Sequence, residues 1–349
     1  MKDIKFDLRD ISVIPAVVSD IDSRSECDTK TDGHWLPIMA APMDTVICQK
    51  NVNTFIKNSI IPCMPRGEYF DPGHINRKMV FQSFGLDEIE RTINYFITGH
   101  AQPDCVSFLD YDYILIDIAN GHMQRLVDAV IAIKLYKPDI KIMVGNVAHP
   151  LTYKNLAMSG ADFVRCSIGT GAGCTTAANV AINYPIGSLI SECYAIKKES
   201  EFDCKIVADG GMQGYDDIIK ALALGADYVM LGSIFNKAMQ SSGSNHLWGI
   251  KLNFHVAKWL WSRGFPIKKK YRGMSTKAVQ RKWGKVKLVT AEGITKYQKV
   301  EYNLSTWVEN FKDYLKSNMS YCGDRDLKEF MGEVEWVYIT ENARKRFAK

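Results

Sequence analysis

The residues best suited to chemistry in this 349-residue chain lie in one loop, Ile168–Gly169–Thr170–Gly171–Ala172–Gly173–Cys174–Thr175–Thr176. Three glycines at alternate positions let a backbone curl tightly and turn its amides or carbonyls inward. A cysteine at the end of such a loop is presented rather than packed, and here it sits beside two hydroxyls. A presented thiolate is a nucleophile. A flexible surface loop with an incidental thiol has the same local pattern, so the surrounding elements decide.

Those elements are short apolar runs, most of them followed by helical patterns. Leu36–Ala40, Ile60–Met64, Lys78–Phe81, Tyr113–Ile118, Lys141–Val144, Phe163–Cys166, Lys205–Ala208 and Tyr228–Leu231 read as strands. Helical patterns follow at about Val46–Asn58, Asp87–Phe96, Leu126–Ile133, Leu151–Met158, Tyr184–Ile196 and Tyr215–Leu224. This alternation predicts an α/β chain, a (β/α)8 TIM barrel over about residues 30–250. An open doubly wound sheet is the rival. Against it, the first strand–turn–helix has no G-x-G-x-x-G, and the later glycine run leads into Cys-Thr-Thr instead of a helix.

A barrel collects its chemistry at the C-terminal ends of its strands. The residues there are Asp44, Arg66, Ser83, Asp117, Asn146, the 169–176 loop, Asp209 and Gly232–Ser233. Asp117 and Asp209 would equally suit capping of the helices that follow. Gly210–Gly211 and Gly232–Ser233 come after the last two strands, where glycine amides can approach a phosphate closely, so a phosphorylated substrate is expected. From about Trp248 the alternation stops. Residues 265–300 read as a long flap over the barrel mouth and 301–349 as a C-terminal extension, all within one catalytic domain. In that extension Leu304, Trp307, Val308, Phe311 and Leu315 recur at helical spacing, as core residues do.

Composition narrows the class. Hydrophobic residues make up 46% and charged residues 24%, which suits a globular protein with a sizeable core. The net charge of +5 is concentrated at Lys268–Lys270 and Arg272, and again from Lys277 to Lys287. A phosphate-rich ligand or a solvated face explains such clusters as well as nucleic acid does, and no aromatic-interleaved basic repeat marks an RNA-binding module. Nine cysteines include no C-x-x-C pair, so neither a zinc ribbon nor a thioredoxin-type motif is indicated. Reduced thiols and a cytoplasmic location are expected. No apolar run approaches the ~18 residues of a membrane span.

The ordered set of segments resembles the IMP dehydrogenase/GMP reductase family. The matching residues are Ala41–Pro42–Met43–Asp44–Thr45–Val46, Asp117–Ile118–Ala119–Asn120–Gly121, Val144–Gly145–Asn146–Val147 and Gly169-x-Gly171-x-x-Cys174–Thr175–Thr176. Ala208–Asp209–Gly210–Gly211, Val229–Met230–Leu231–Gly232–Ser233, Tyr271–Arg272–Gly273–Met274 and Glu292–Gly293 complete it. Short motifs are weak singly; eight in order are specific.

The resemblance implies a thiolate attack on C2 of a purine nucleotide and hydride movement between C2 and a nicotinamide. It makes Cys174 the nucleophile, with Thr176 and Glu292 handling protons. It gives Asp209 the ribose hydroxyls, and Gly210, Gly211, Gly232 and Ser233 the phosphate. Tyr271, Gly273, Met274 and Ser275 fall to the purine. Asp117, Asn146 and, more loosely, Arg66 fall to the NADPH side. Carbonyls of Gly169, Gly171 and Cys174 would hold a monovalent cation such as K+. The family also implies a homotetramer.

Within the family three features are similar to the reductase branch, which converts GMP to IMP and ammonia with NADPH. Only about fifty residues separate Met64 from Tyr113, too few for the inserted pair of CBS modules usual in the dehydrogenases. The flap between Met274 and Glu292 lacks an Arg–Tyr dipeptide, and the residue before Gly293 is Glu. Other features depart from that branch: Ala172 stands where a phosphate-touching Ser is usual, Thr170 replaces Pro or Ser, and Gly173 replaces a bulky aliphatic. Val289 replaces an Arg, and Arg165 is more dehydrogenase-like. Two alternatives therefore stand beside the reductase. One is an IMP dehydrogenase without CBS modules, forming XMP with NAD and using another residue such as Arg281 to activate water. The other is a weakly active binder of a deoxy or modified guanine nucleotide.

Overall fold

The structure, a computed structural model, describes residues 4–31, 33–71, 79–98, 107–282, 290 and 292–347. Eight parallel strands close into a barrel: β2 (Ile38–Ala40), β3 (Ile61–Met64), β4 (Phe81–Phe84), β5 (Tyr113–Asp117), β6 (Lys141–Val147), β7 (Phe163–Cys166), β8 (Lys205–Asp209) and β9 (Tyr228–Leu231). β9 returns to β2 with Ile38 opposite Val229 and Ala40 opposite Leu231. A closed barrel leaves no strand edge exposed. The (β/α)8 expectation holds.

Because side chains alternate along a strand, each barrel strand feeds two cores. Met39, Ile61, Cys63, Phe81, Leu115, Met143, Phe163, Val207, Tyr228 and Met230 fill the lumen. Their neighbours pack outward under the helices in the larger cluster. Phe81 meets Phe163 edge-on inside the barrel, with ring centroids 5.1 Å apart. This apolar plug is the floor on which the polar residues of the mouth stand.

Several expectations shift. The third strand is Phe81–Phe84, not 78–81: Phe81 faces the lumen, Gln82 turns outward to the backbone of Phe70, and 72–78 lie outside the described residues. The first helix begins at Val52 rather than Val46, because Asn51 folds its side chain onto the Cys48 amide and the Val46 carbonyl. A short helix, Thr176–Val180, does follow the glycine loop. The polar N-terminal arm contains β1 (Ile11–Val13), which pairs antiparallel with β14 (Trp336–Tyr338).

The 265–300 region is largely sheet rather than free flap. β10 (Asn245–Leu247), β11 (Ile250–Leu252), β12 (Lys268–Arg272) and β13 (Thr295–Lys299) form an antiparallel sheet in the order β11-β10-β12-β13. The connection between β12 and β13 carries a short helix, Lys277–Lys282, with Val279 and Gln280 buried, and 283–289, including Val289, and 291 lie outside the described residues. The C-terminal helix Leu304–Cys322 buries Leu304, Trp307, Val308, Phe311 and Leu315 as its spacing requires. It ends at Gly323, whose φ of +88° suits glycine. No described helix is long and apolar enough to cross a membrane.

Candidate active site

The glycine loop leaves β7 and turns back on itself through a hydrogen bond from the Cys174 amide to the Gly171 carbonyl, 2.8 Å. The half-buried Cys174 Sγ donates to Thr176 Oγ1 at 3.2 Å, and Thr176 Oγ1 donates to Glu292 Oε2 at 2.5 Å. Thiol, hydroxyl and carboxylate thus form one line along which a proton can pass.

Glu292 is 116 residues from Thr176 in sequence, and backbone pairing brings them together. The Thr175 amide donates to the Glu292 carbonyl at 2.8 Å, the Ile294 amide to the Gly173 carbonyl at 3.0 Å, and the Gly273 amide to the Ile294 carbonyl at 3.0 Å. Three segments therefore meet edge to edge, and they meet at glycines. A side chain on Gly173 would lie 2.9 Å from the Tyr271 ring, and one on Gly273 would lie 2.5 Å from the Gly173 carbonyl. This close approach accounts for a glycine at 173.

A charged layer lies on the floor of the mouth. Arg165, Asp117 and Asp209 each stand two residues beyond a lumen residue of β7, β5 and β8. Arg165 Nη1 donates to Asp117 at 2.6 Å, and its Nη2 and Nε donate to Asp209 Oδ2 at 2.8 and 3.1 Å. Asn146 Nδ2 reaches the same oxygen at 2.7 Å. Burial opposes the guanidinium charge, yet Asp209 and Asp117 hold its pKa above the ordinary value. The two acids are thus not helix caps. The two sides of the expected site, Asp209 on one and Asp117 with Asn146 on the other, are joined through Arg165. A buried arginine inside the run Phe-Val-Arg-Cys was the signal that could have added it to the candidates.

Tyr271 connects the expected phosphate corner to the thiol. A side chain on Gly232 would meet Tyr271 Oη at 3.3 Å and Met43 Sδ at 3.0 Å, so Gly232, Tyr271 and Gly173 are neighbours in series. Burial, and after it the Asp209 carboxylate, pushes the Tyr271 phenol up. Gly210 and Gly211, at φ +86° and +91°, lie against Gly171 and Thr170. Met274 and Ser275 form the turn after β12, next to Thr276, whose buried Oγ1 has no hydrogen-bond partner among the described residues. Ser83 Oγ, at the lumen end of β4, is likewise buried and without one. Arg66 is not drawn into this cluster by any contact above; its Nε pairs with Glu88 at 3.3 Å. Ala172 is exposed. Among the described residues no group of three His, Cys, Asp or Glu could hold a metal ion.

The base of the flap is locked to the first barrel loop. Arg272 pairs with Asp44, and Asn236 Nδ2 bridges the carbonyls of Thr45 and Lys270 at 2.7 and 3.1 Å. The basic cluster is consequently not one solvated face. Lys269 is fully buried, and its Nζ donates to the carbonyls of Ser241 and Gly243 at 2.5 and 3.4 Å. Burial pushes the ammonium down to about 7.

In the unfolded chain Lys269 stays protonated to about 10.4, so between pH 7 and 10 the unfolded state binds more protons. Its contribution to stability therefore rises with pH across that window. We expect the unfolding free energy of the wild type, minus that of Lys269→Met, to grow by roughly 1–3 kcal/mol from pH 7 to 9. Urea unfolding of both proteins checks this, and a pH-independent difference would exclude a neutralised lysine.

A closed parallel barrel with a polar C-terminal mouth defines a class, the (β/α)8 proteins. A family model described as "IMP dehydrogenase / GMP reductase domain" matches residues 101–347, and the chain belongs to that family. It is 34% identical over 229 residues to the inosine-5'-monophosphate dehydrogenase of Chlorobaculum parvum, covering 66% of this chain and 45% of that protein. It is 31% identical over 249 residues to the GMP reductase of Bacillus subtilis, covering 68% of this chain and 73% of that one. To the GMP reductase of Staphylococcus aureus (strain MRSA252) it is 28% identical over 348 residues, 96% of both chains. The chain thus spans about half the length of the dehydrogenases it matches. The family is one of oxidoreductases that act on purine mononucleotides with a nicotinamide cofactor.

Proposed function

We propose that this protein is a GMP reductase, converting GMP and NADPH to IMP, NADP+ and ammonia. The observation that carries the reading is the Cys174–Thr176–Glu292 line, because loss of an amine from C2 needs a nucleophile and a proton donor together. Thr176 passes the Cys174 proton to Glu292, and the thiolate attacks C2 of GMP. Glu292 returns that proton, through Thr176, to the departing amine. The C2–N bond breaks and ammonia leaves with the purine on Cys174. A reduced nicotinamide, when bound, supplies the hydride that C2 requires. Cys174 then departs as thiolate and takes up a proton, leaving hydrogen on C2.

The remaining roles follow from position. Arg165 and Asn146 hold one oxygen of Asp209, which orients the other toward a ribose hydroxyl. Gly210, Gly211, Gly232 and Ser233 would receive the phosphate, and Tyr271, Gly273, Met274 and Ser275 the purine. The orphaned hydroxyls of Ser83 and Thr276 fit polar ligands in the mouth. Asp117, Asn146 and Arg66 would line the cofactor side. The Gly169, Gly171 and Cys174 carbonyls are an oxygen-only donor set without a carboxylate, which suits a monovalent cation such as K+. A cytoplasmic homotetramer accompanies this reading, supported by the family resemblance.

Oxidation of IMP to XMP is a second reading, favoured by Arg165 and by 34% identity to a dehydrogenase. A test without cofactor separates the two. Incubated with GMP alone, the protein should release ammonia and gain GMP minus ammonia on the Cys174 peptide by mass spectrometry. No adduct from GMP, with one formed from IMP and NAD, would reverse the assignment.

A further inference from the structure

Between Asp227 and Glu292 the chain runs 64 residues without an acidic side chain and carries 13 lysines and arginines. Within this stretch β10, β11 and the helix Phe254–Trp261 build a small lobe outside the barrel. Met239, Leu247, Ala257, Ile267 and Val300 form its core. The lobe also leaves large apolar side chains outside: Trp248 is 77% exposed, Ile250 66% and Trp259 54%, and Phe265 and Val256 are also exposed.

Two features argue that this exposure is built in. Trp248 occupies the tip of the β10–β11 turn at φ +50°, followed by Gly249 at +86°. A bulky residue at positive φ is unusual, since Asn, Asp or Gly suits such a turn better. Its ring meets Phe265 at 6.3 Å instead of entering the core. On the helix, Val256 and Trp259 lie three residues apart on one exposed face, and Arg263, in the turn just past the helix end, sets its guanidinium 3.7 Å above the Trp259 ring. Lys251, Lys258, Arg263 and Lys268 are exposed among these apolar groups.

We propose that this lobe docks on an anionic lipid surface. Trp248, Ile250 and Phe265 would enter the headgroup boundary, while the four cations face lipid phosphates or carboxylates. Tryptophan at a tip, aliphatic neighbours and a wholly cationic charge set match the chemistry of that boundary. Single-stranded nucleic acid would also meet the cations and aromatic rings, but Ile250 and Val256 offer bases no stacking surface. The lipid surface accounts for both groups of side chains.

The test is co-sedimentation of the full-length chain with vesicles of phosphatidylcholine alone and of phosphatidylcholine with phosphatidylserine. Binding is expected to the second and to weaken by about tenfold or more in the first. It should fall similarly at high salt, in Trp248→Ser and in the double variant Lys251→Glu/Lys258→Glu. Far-UV circular dichroism and turnover of both variants should match the wild type. No preference for phosphatidylserine, or undiminished binding by both variants, would overturn the proposal. So would poly(U) binding or a patch-dependent dimer in place of vesicle binding.

Discussion

Replacing Cys174 by alanine is expected to abolish turnover, by on the order of 10⁴-fold or more, while leaving the fold and nucleotide binding in place. In the proposed mechanism the magnitude follows from removing the nucleophile itself, since without it C2 would gain no covalent partner and the amine would have no route out. The fold should survive because the loop is held by backbone bonds at Gly171, Gly173 and Thr175, none of which uses the thiol. Turnover and thermal unfolding of Cys174→Ala check both halves. Residual activity within tenfold of the wild type would remove Cys174 from the mechanism.

Glu292→Gln should cost about 10²–10⁴ in kcat, the usual contribution of a general acid–base group. Glutamine keeps the shape and can still hydrogen-bond Thr176, but it cannot accept the thiol proton or return it to the amine. The loss should fall on ammonia release more than on the KM for GMP, because the Glu292 carboxylate engages Thr176 and not the glycines proposed to receive the phosphate. Rapid-quench measurement of ammonia locates the slowed step. A variant that raises KM with kcat unchanged would make Glu292 a binding residue instead.

Much of this site was legible in the chain. β5 to β9 are buried runs bounded by glycine or acidic residues, and local pattern suffices to place them. The glycine loop advertises Cys174 by its own spacing. The C-terminal helix reads correctly because Leu304, Trp307, Phe311 and Leu315 follow its period. What escaped depends on partners distant in sequence. Lys-Lys-Lys-Tyr-Arg does not read as a strand, because one of its inward residues is a lysine, kept buried by the carbonyls of Ser241 and Gly243. Arg165 looks misplaced in an apolar run until Asp117 and Asp209 are brought to either side of it. Gly173 looks like a lost side chain until Tyr271 and Gly273 occupy the space.

If the Cys174–Thr176–Glu292 line removes an amine from a purine, steady-state turnover with GMP and NADPH will show it. NADPH oxidation should depend on GMP and yield one IMP and one ammonia per NADPH consumed. Absence of GMP-dependent oxidation, together with XMP and NADH formed from IMP and NAD, would contradict it.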